Sequence, residues 1–154
     1  TPEEMERIIA VTDIVRAVKQ FAPGWKITNC GPDMDPGLRP ELRGKKNVLL
    51  THPQSRTVPC ALSREASIPA GVKTRLVLEV GHHEEGDWEL VVKADGVTLF
   101  QGTIGKDTAK NGWRTVAVDL SAYAGKTVRL ELLNQANGWA WEAGYWASIA
   151  LVSE

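Results

Sequence analysis

From Thr74 onward, apolar and polar residues alternate in short runs. TRLVLEV, DWELVVKA, VTLFQG, WRTVAVDL, TVRLELL and YWASIALV are rich in β-branched or aromatic residues and are bounded by glycine and polar clusters. A period of two predicts six strands, each with one face for a core and one for solvent. Asp95-Gly96, between the second and third runs, predicts a hairpin, because a type I′ turn takes positive φ at both central residues. Short strands with tight turns and no intervening helix predict an all-β fold, an antiparallel β-sandwich.

The period is different at the start of the chain. Thr1 stands as an N-cap, Pro2 at the first helical position and Glu4 three residues after the cap, which together make a capping box. Met5, Ile8, Ile9, Thr12, Val15 and Val18 follow at three- and four-residue spacing, predicting an N-terminal α-helix over 1–22 that stops at Ala22-Pro23-Gly24. It either packs on the rest of the domain or is the tail of an upstream one. Residues 23–70 carry Pro32, Pro36, Pro40, Pro53 and Pro59 with Gly31, Gly37 and Gly44, and read as an irregular arm with short strands such as NVLLTH packed on the sandwich. Residues 71–154 hold the main strands. The whole, at 154 residues, is one domain.

Alternation also sorts the loops. If successive strands reverse direction, GHHEEGD, IGKDTAKNG and NQANGWAWEAG share one end, while the Asp95-Gly96 turn and LSAYAGK share the other. The first end is rich in chemistry, with His82, His83, Asp87, Lys106, Asp107, Lys110, Trp139, Trp141 and Glu142. Residues 137–146 alone hold four of the ten aromatic side chains. Flat indole faces beside hydrogen-bonding groups are what a sugar requires, because its C–H faces stack while its hydroxyls need polar partners. Trp139 and Trp141 flank Ala140 and share one face if the segment is extended, so they are the expected stacking surface; Trp88, Trp113 and Trp146 lie in strands and are expected in the core. His82 and His83 are neighbours and point to opposite faces, which disfavours their joint ligation of one metal and leaves hydrogen bonding to ligand or loop backbone.

Several function classes are excluded or disfavoured. Eighteen basic against nineteen acidic residues give a net charge of −1, which excludes the basic footprint of a nucleic-acid binder. No apolar run approaches the ~20 residues that span a bilayer, and no charged-then-apolar signal segment opens the chain. The start at Thr1, without methionine, is expected of a processed protein or of a piece of a longer one. There is no GxSxG, HExxH or phosphate-cradling glycine loop. Glu84, Glu85, Asp87 and Glu142 supply carboxylates for a glycosidase, but nothing in the sequence fixes their separation. DMDPG begins like a calcium loop, yet the twelfth position is Gly44 where an EF-hand needs glutamate, which leaves one aspartate for an irregular calcium site. Cys30 and Cys60 are either two buried thiols or one disulfide; a disulfide would close a loop of about 30 residues, contribute roughly 3–4 kcal/mol and imply an oxidising compartment.

Residues 72–152 resemble a galactose-binding-like β-sandwich (a jelly roll), and more particularly the NPCBM group of carbohydrate-binding modules attached to glycoside hydrolases. The resemblance rests on the hairpin VKADGVTLFQG, the run VAVDLSAYAGKTVRLEL and the closing EAGYWASIAL, which is similar to the DHADWA-type ending of that group, with Glu142 where aspartate is common and Ala143 in place of histidine. The whole chain also looks like a C-terminal module of large exported bacterial proteins. The likeness implies a non-catalytic, extracytoplasmic module that needs no cofactor and tethers a larger protein to poly- or oligosaccharide, with no nucleic-acid or membrane partner. It further implies a structural calcium between the arm and the final strand, for which Asp33, Asp35 and Glu142 are the candidate oxygen donors. The expected ligand site is Trp139, Trp141, His82, His83, Asp87 and Glu142. The competing expectations are an assembly domain that packs on other domains of its parent protein and a glycoside hydrolase.

Overall fold

The computed structural model describes residues 13–154, so the capping box at Thr1, Pro2 and Glu4 and the positions Met5, Ile8, Ile9 and Thr12 lie outside the described residues. A helix, α1 (residues 13–21), leads into ten strands: β1 (Lys26–Thr28), β2 (Gly37–Leu42), β3 (Lys45–Thr51), β4 (Cys60–Ser67), β5 (Thr74–His82), β6 (Trp88–Ala94), β7 (Val97–Ile104), β8 (Trp113–Asp119), β9 (Thr127–Gln135) and β10 (Gly144–Ser153). They form two five-stranded antiparallel sheets, ordered β1-β4-β9-β6-β7 and β2-β3-β10-β5-β8. The expected all-β sandwich with a helix at its N-terminal side is the observed fold.

The core lies between the sheets. Leu62, Leu90, Val92, Leu130 and Leu132 of one sheet meet Leu49, Leu76, Leu78, Val80 and Trp146 of the other. Trp88 and Trp146 are fully buried, with ring centroids 5.3 Å apart and planes at 50°. Each indole N–H has a partner: Trp88 Nε1 donates to the Gly81 carbonyl at 2.8 Å and Trp146 Nε1 to Thr51 Oγ1 at 2.9 Å. Burying a large apolar side chain contributes about 1.5–3 kcal/mol, and pairing the N–H avoids losing that gain to an unsatisfied donor. The alternation of β10 slips once: a bulge at Ala147 sends Trp146, Ile149 and Leu151 to the core although two residues, not one, separate the first two.

Two features differ from the sequence reading. Residues 23–70, read as an irregular arm with short strands packed on the sandwich, supply four strands that belong to the two sheets themselves, and β4 lies between β1 and β9 along its sheet. The prolines are compatible with this because Pro32, Pro36, Pro53 and Pro59 fall outside the strands, while Pro40 sits on β2, an edge strand where a missing N–H costs no ladder bond. On α1, the stripe that meets the core is Ile14, Ala17 and Val18, and Val15 is exposed. The Asp95-Gly96 hairpin has φ of 48° and 80°, as a type I′ turn needs.

Candidate functional site

Three crossovers meet at one end of the sandwich. Residues 83–87 join β5 to β6, 105–112 join β7 to β8, and 136–143 join β9 to β10, and each passes from one sheet to the other. Together they enclose a cleft of about 440 Å³ lined by Glu84, Glu85, Asp87, Lys106, Asp107 and Trp139, with Thr103, Thr108 and Glu142 also on its walls. That volume lies in the range of about 300–1,000 Å³ in which small ligands are held. The opposite end carries the Asp95-Gly96 turn, where Asp95 Oδ1 accepts the Arg129 N–H at 2.8 Å.

Glycine allows the loops to approach this closely. A Cβ on Gly86 would lie 2.1 Å from the Trp141 carbonyl oxygen, and one on Gly105 would lie 2.8 Å from Asp87 Cβ. Each crossover therefore runs within backbone contact of another, which sets the width of the cleft.

Glu142 holds the third crossover in shape. Its side chain is buried, and Oε1 accepts the backbone N–H groups of Asn137 and Gly138, the latter at 2.6 Å. Asn137 Nδ2 in turn donates to Asp87 Oδ1 at 3.2 Å, linking the third crossover to the first. Burial pushes the Glu142 carboxyl above the usual range, and the nearby Asp87 charge adds to this while the two amides oppose it. Beneath lies a polar network: Thr51 Oγ1 donates to Asn134 Oδ1 at 2.8 Å, Asn134 Nδ2 donates to the Glu142 carbonyl at 3.2 Å, and the Gly144 N–H returns to Asn134 Oδ1 at 3.2 Å.

The two tryptophans take different positions. Residues 137–141 form bends and are not extended, and Trp141 has φ of 57°, a left-handed conformation that costs a bulky residue about 1–2 kcal/mol. Trp139 lines the cleft, half-buried, with its ring edge-on to the buried His52 at 5.3 Å. Trp141 is 46% exposed and stacks on His83, centroids 4.3 Å apart and planes at 10°. The expectation that both indoles share one surface is corrected: one is a wall of the cleft and the other stands on its outer rim.

The histidines also separate. His82 is buried, and its Nδ1 lies 2.7 Å and 2.9 Å from the His83 and Gly86 carbonyls, so that nitrogen carries the proton and the ring shapes the loop without lining the cleft. His83 Nδ1 accepts the Glu85 N–H at 3.0 Å, which leaves Nε2 protonated in the neutral ring.

Asp33, Asp35 and Glu142 do not fit a calcium site. Asp33 and Asp35 are exposed on the turn before β2, Asp35 beside Arg39, whereas Glu142 is turned inward onto loop amides. Among the described residues no three His, Cys, Asp or Glu side chains are grouped so as to hold a metal ion. Among them, too, no helix is long and apolar enough to cross a membrane.

Gly86, Asn137, Asn134 and His52 are the contributors that sequence reasoning missed. Asn137 lies in the quoted aromatic segment, but an exposed loop asparagine gives no sign that it bridges two crossovers.

No family model matches the chain, and no curated protein matches it. Solved structures do. A family 35 carbohydrate-binding module from an environmental isolate superposes with a TM-score of 0.57 at 15% identity, over 84% of this chain and 86% of the module. The architecture is that of these β-sandwich modules. The CBM22-1 xylan-binding domain of Paenibacillus barcinonensis Xyn10C gives 0.57 at 13% identity, over 86% and 87% of the two chains. A cyclase from Fischerella sp. TAU gives 0.51 at 15% identity, over 84% of this chain and 74% of the cyclase. At such identities the likeness is one of fold, and the site must speak for itself.

Proposed function

We propose that this domain is a non-catalytic carbohydrate-binding module and that the sugar occupies the cleft at the crossover end. The observation that carries this reading is the cleft itself, with the Trp139 indole as an apolar wall and carboxylates, threonine hydroxyls and Lys106 around it. An aromatic face beside polar groups matches the two-sided chemistry of a pyranose. The shared fold with carbohydrate-binding modules supports it. Glu84, Glu85, Asp87 and Asp107 against Lys106 make the rim electronegative, which favours neutral or amino-bearing sugars and repels uronates. The reading extends to an NPCBM-like, extracytoplasmic module that tethers a larger parent protein to glycan.

A glycan array followed by calorimetric titration tests the site. Trp139→Ala should weaken binding about ten-fold or more, or about 1.4 kcal/mol, with Trp141→Ala acting less because its ring lies off the cleft. Undiminished binding by a folded Trp139→Ala Trp141→Ala double variant would refute the site.

A second, catalytic reading rests on Glu142, a buried carboxyl with a raised pKa connected to Asp87 through Asn137. Against it, Glu142 Oε1 is occupied by two loop amides, which is a structural duty. Hydrolysis of the bound glycan by the native chain but not by Glu142→Gln would favour this second reading.

A further inference from the structure

Behind the polar network that carries the third crossover, two cysteines lie at the seam between the N-terminal segment and the sandwich. β1 runs antiparallel to β4, with Lys26 opposite Ser63, Ile27 opposite Leu62 and Thr28 opposite Ala61, a register that carries the chain toward Cys60. Asn29 then takes a left-handed φ of 58°, and the chain turns so that Cys30 bridges to Pro53 while the Gly31 N–H donates to the His52 carbonyl at 2.9 Å. This turn lays Cys30 against Pro53, two residues beyond Thr51, whose hydroxyl bonds the Asn134 that pairs with Cys60, so the two cysteines sit at one seam. Cys30 S–H donates to the Gly31 carbonyl at 3.6 Å. Both are free thiols here; Cys60 is buried and Cys30 is only partly so.

We propose that Cys30 and Cys60 are an oxidation site, at which a low-molecular-weight disulfide such as glutathione disulfide converts the pair to a disulfide that staples α1 and β1 to β4.

The roles of the two sulfurs are unequal. The Cys60 thiol beside it holds the Cys30 thiol below its usual pKa, whereas its thiol partner and burial push Cys60 up. Cys30, the more exposed and more easily ionised, attacks one sulfur of glutathione disulfide, forming a mixed disulfide and releasing one glutathione thiolate. Cys60 gives its proton to that leaving thiolate or to solvent, and its sulfur attacks Cys30 Sγ, displacing the second glutathione. Two protein thiols are oxidised and one glutathione disulfide is reduced to two thiols.

A shared metal is the competing use for paired thiols. However, no third ligand joins them among the described residues. Among the described residues, the segment before Cys30 pairs with the sheet through the three residues of β1 and packs on the core through Ile14, Ala17 and Val18, and the staple would add a covalent link to these contacts. Closing a loop of about 30 residues should raise Tm by roughly 10 °C.

The test uses the native chain equilibrated in glutathione buffers from reducing to oxidising, quenched in denaturant and alkylated. The expected result is loss of both thiols together, a mass lower by two hydrogens, a Cys30–Cys60 crosslinked peptide and a higher Tm reversed by dithiothreitol. Cys60→Ser should capture one glutathione on Cys30, while in Cys30→Ser the buried Cys60 reacts far more slowly. The proposal is overturned if two thiols per chain remain alkylatable in the most oxidising buffer, if oxidation gives covalent dimers, or if the oxidised chain melts no higher than the reduced one. The thiol count on the native chain decides the matter even if a variant misfolds.

Discussion

Replacing Gly86 by alanine puts a methyl group where the structure has a carbonyl. The new Cβ would lie 2.1 Å from the Trp141 oxygen, 2.4 Å from Trp141 Cβ and 2.8 Å from Trp141 C. Ordinary contact begins at 3.4 Å, so the Trp141 backbone must retreat by about 1.3 Å. Two of the three atoms are backbone, and no rotamer change relieves them. Gly86 does not use left-handed φ, so conformational strain adds nothing, and the loss of chain freedom in the unfolded state favours alanine by about 0.4–1 kcal/mol. Overpacking costs about 1–3 kcal/mol, which leaves a net destabilisation of roughly 1–2 kcal/mol. The displacement should also loosen the amides held by Glu142, one residue from Trp141. Urea unfolding followed by tryptophan fluorescence measures the first effect. Indole N–H resonances measure the second: those of Trp139 and Trp141 should shift, while those of Trp88 and Trp146 stay. Unmoved rim resonances together with an unchanged unfolding midpoint would show that the crossovers do not touch as described. Gly96→Ala is the contrasting control, since a Cβ there meets nothing within 4 Å and only the φ of 80° is penalised.

Other outcomes follow from the same contacts. Because the folded-state pKa of Glu142 is raised, its contribution to stability is fully present below the ordinary carboxyl pKa and is lost as pH rises through the raised value; the native chain should therefore lose stability relative to Glu142→Gln as pH rises above the ordinary carboxyl range, as read by urea midpoints. Glu142→Gln should keep the loop, since an amide oxygen still accepts from Asn137 and Gly138, whereas Glu142→Ala should release it and broaden the amide resonances of residues 136–142. Thr51→Val leaves the buried Trp146 indole N–H without its acceptor and should cost about 1–3 kcal/mol in thermal or chemical unfolding.

The six C-terminal strands were legible because each is half-buried and shows its period; β5 reads TRLVLEVGH, with Leu76, Leu78 and Val80 inward. β4 was not, since CALSREAS fills its inward positions with small or single apolar groups and its β-propensity is weak. Its place beside β9 is set by tertiary pairing and not by its own pattern. Loop parity brought GHHEEGD, IGKDTAKNG and NQANGWAWEAG together, but parity places a loop, not the side chains within it. His82 turned inward to satisfy two carbonyls, and Trp141 turned outward through a left-handed φ that no periodicity signals for tryptophan. Gly86 carries no sign of the close approach in the sequence, since a turn is the commoner meaning of glycine in such a loop.

That the cleft is walled, apart from Thr103 near the end of β7, by passages between the two sheets has a mechanical consequence. A molecule wedged there would act as a rivet through both layers, so its grip depends on how firmly they are registered by Trp88 and Trp146 directly beneath. Occupancy should accordingly slow amide exchange along β5 and β9 together, well away from any atom that the guest touches.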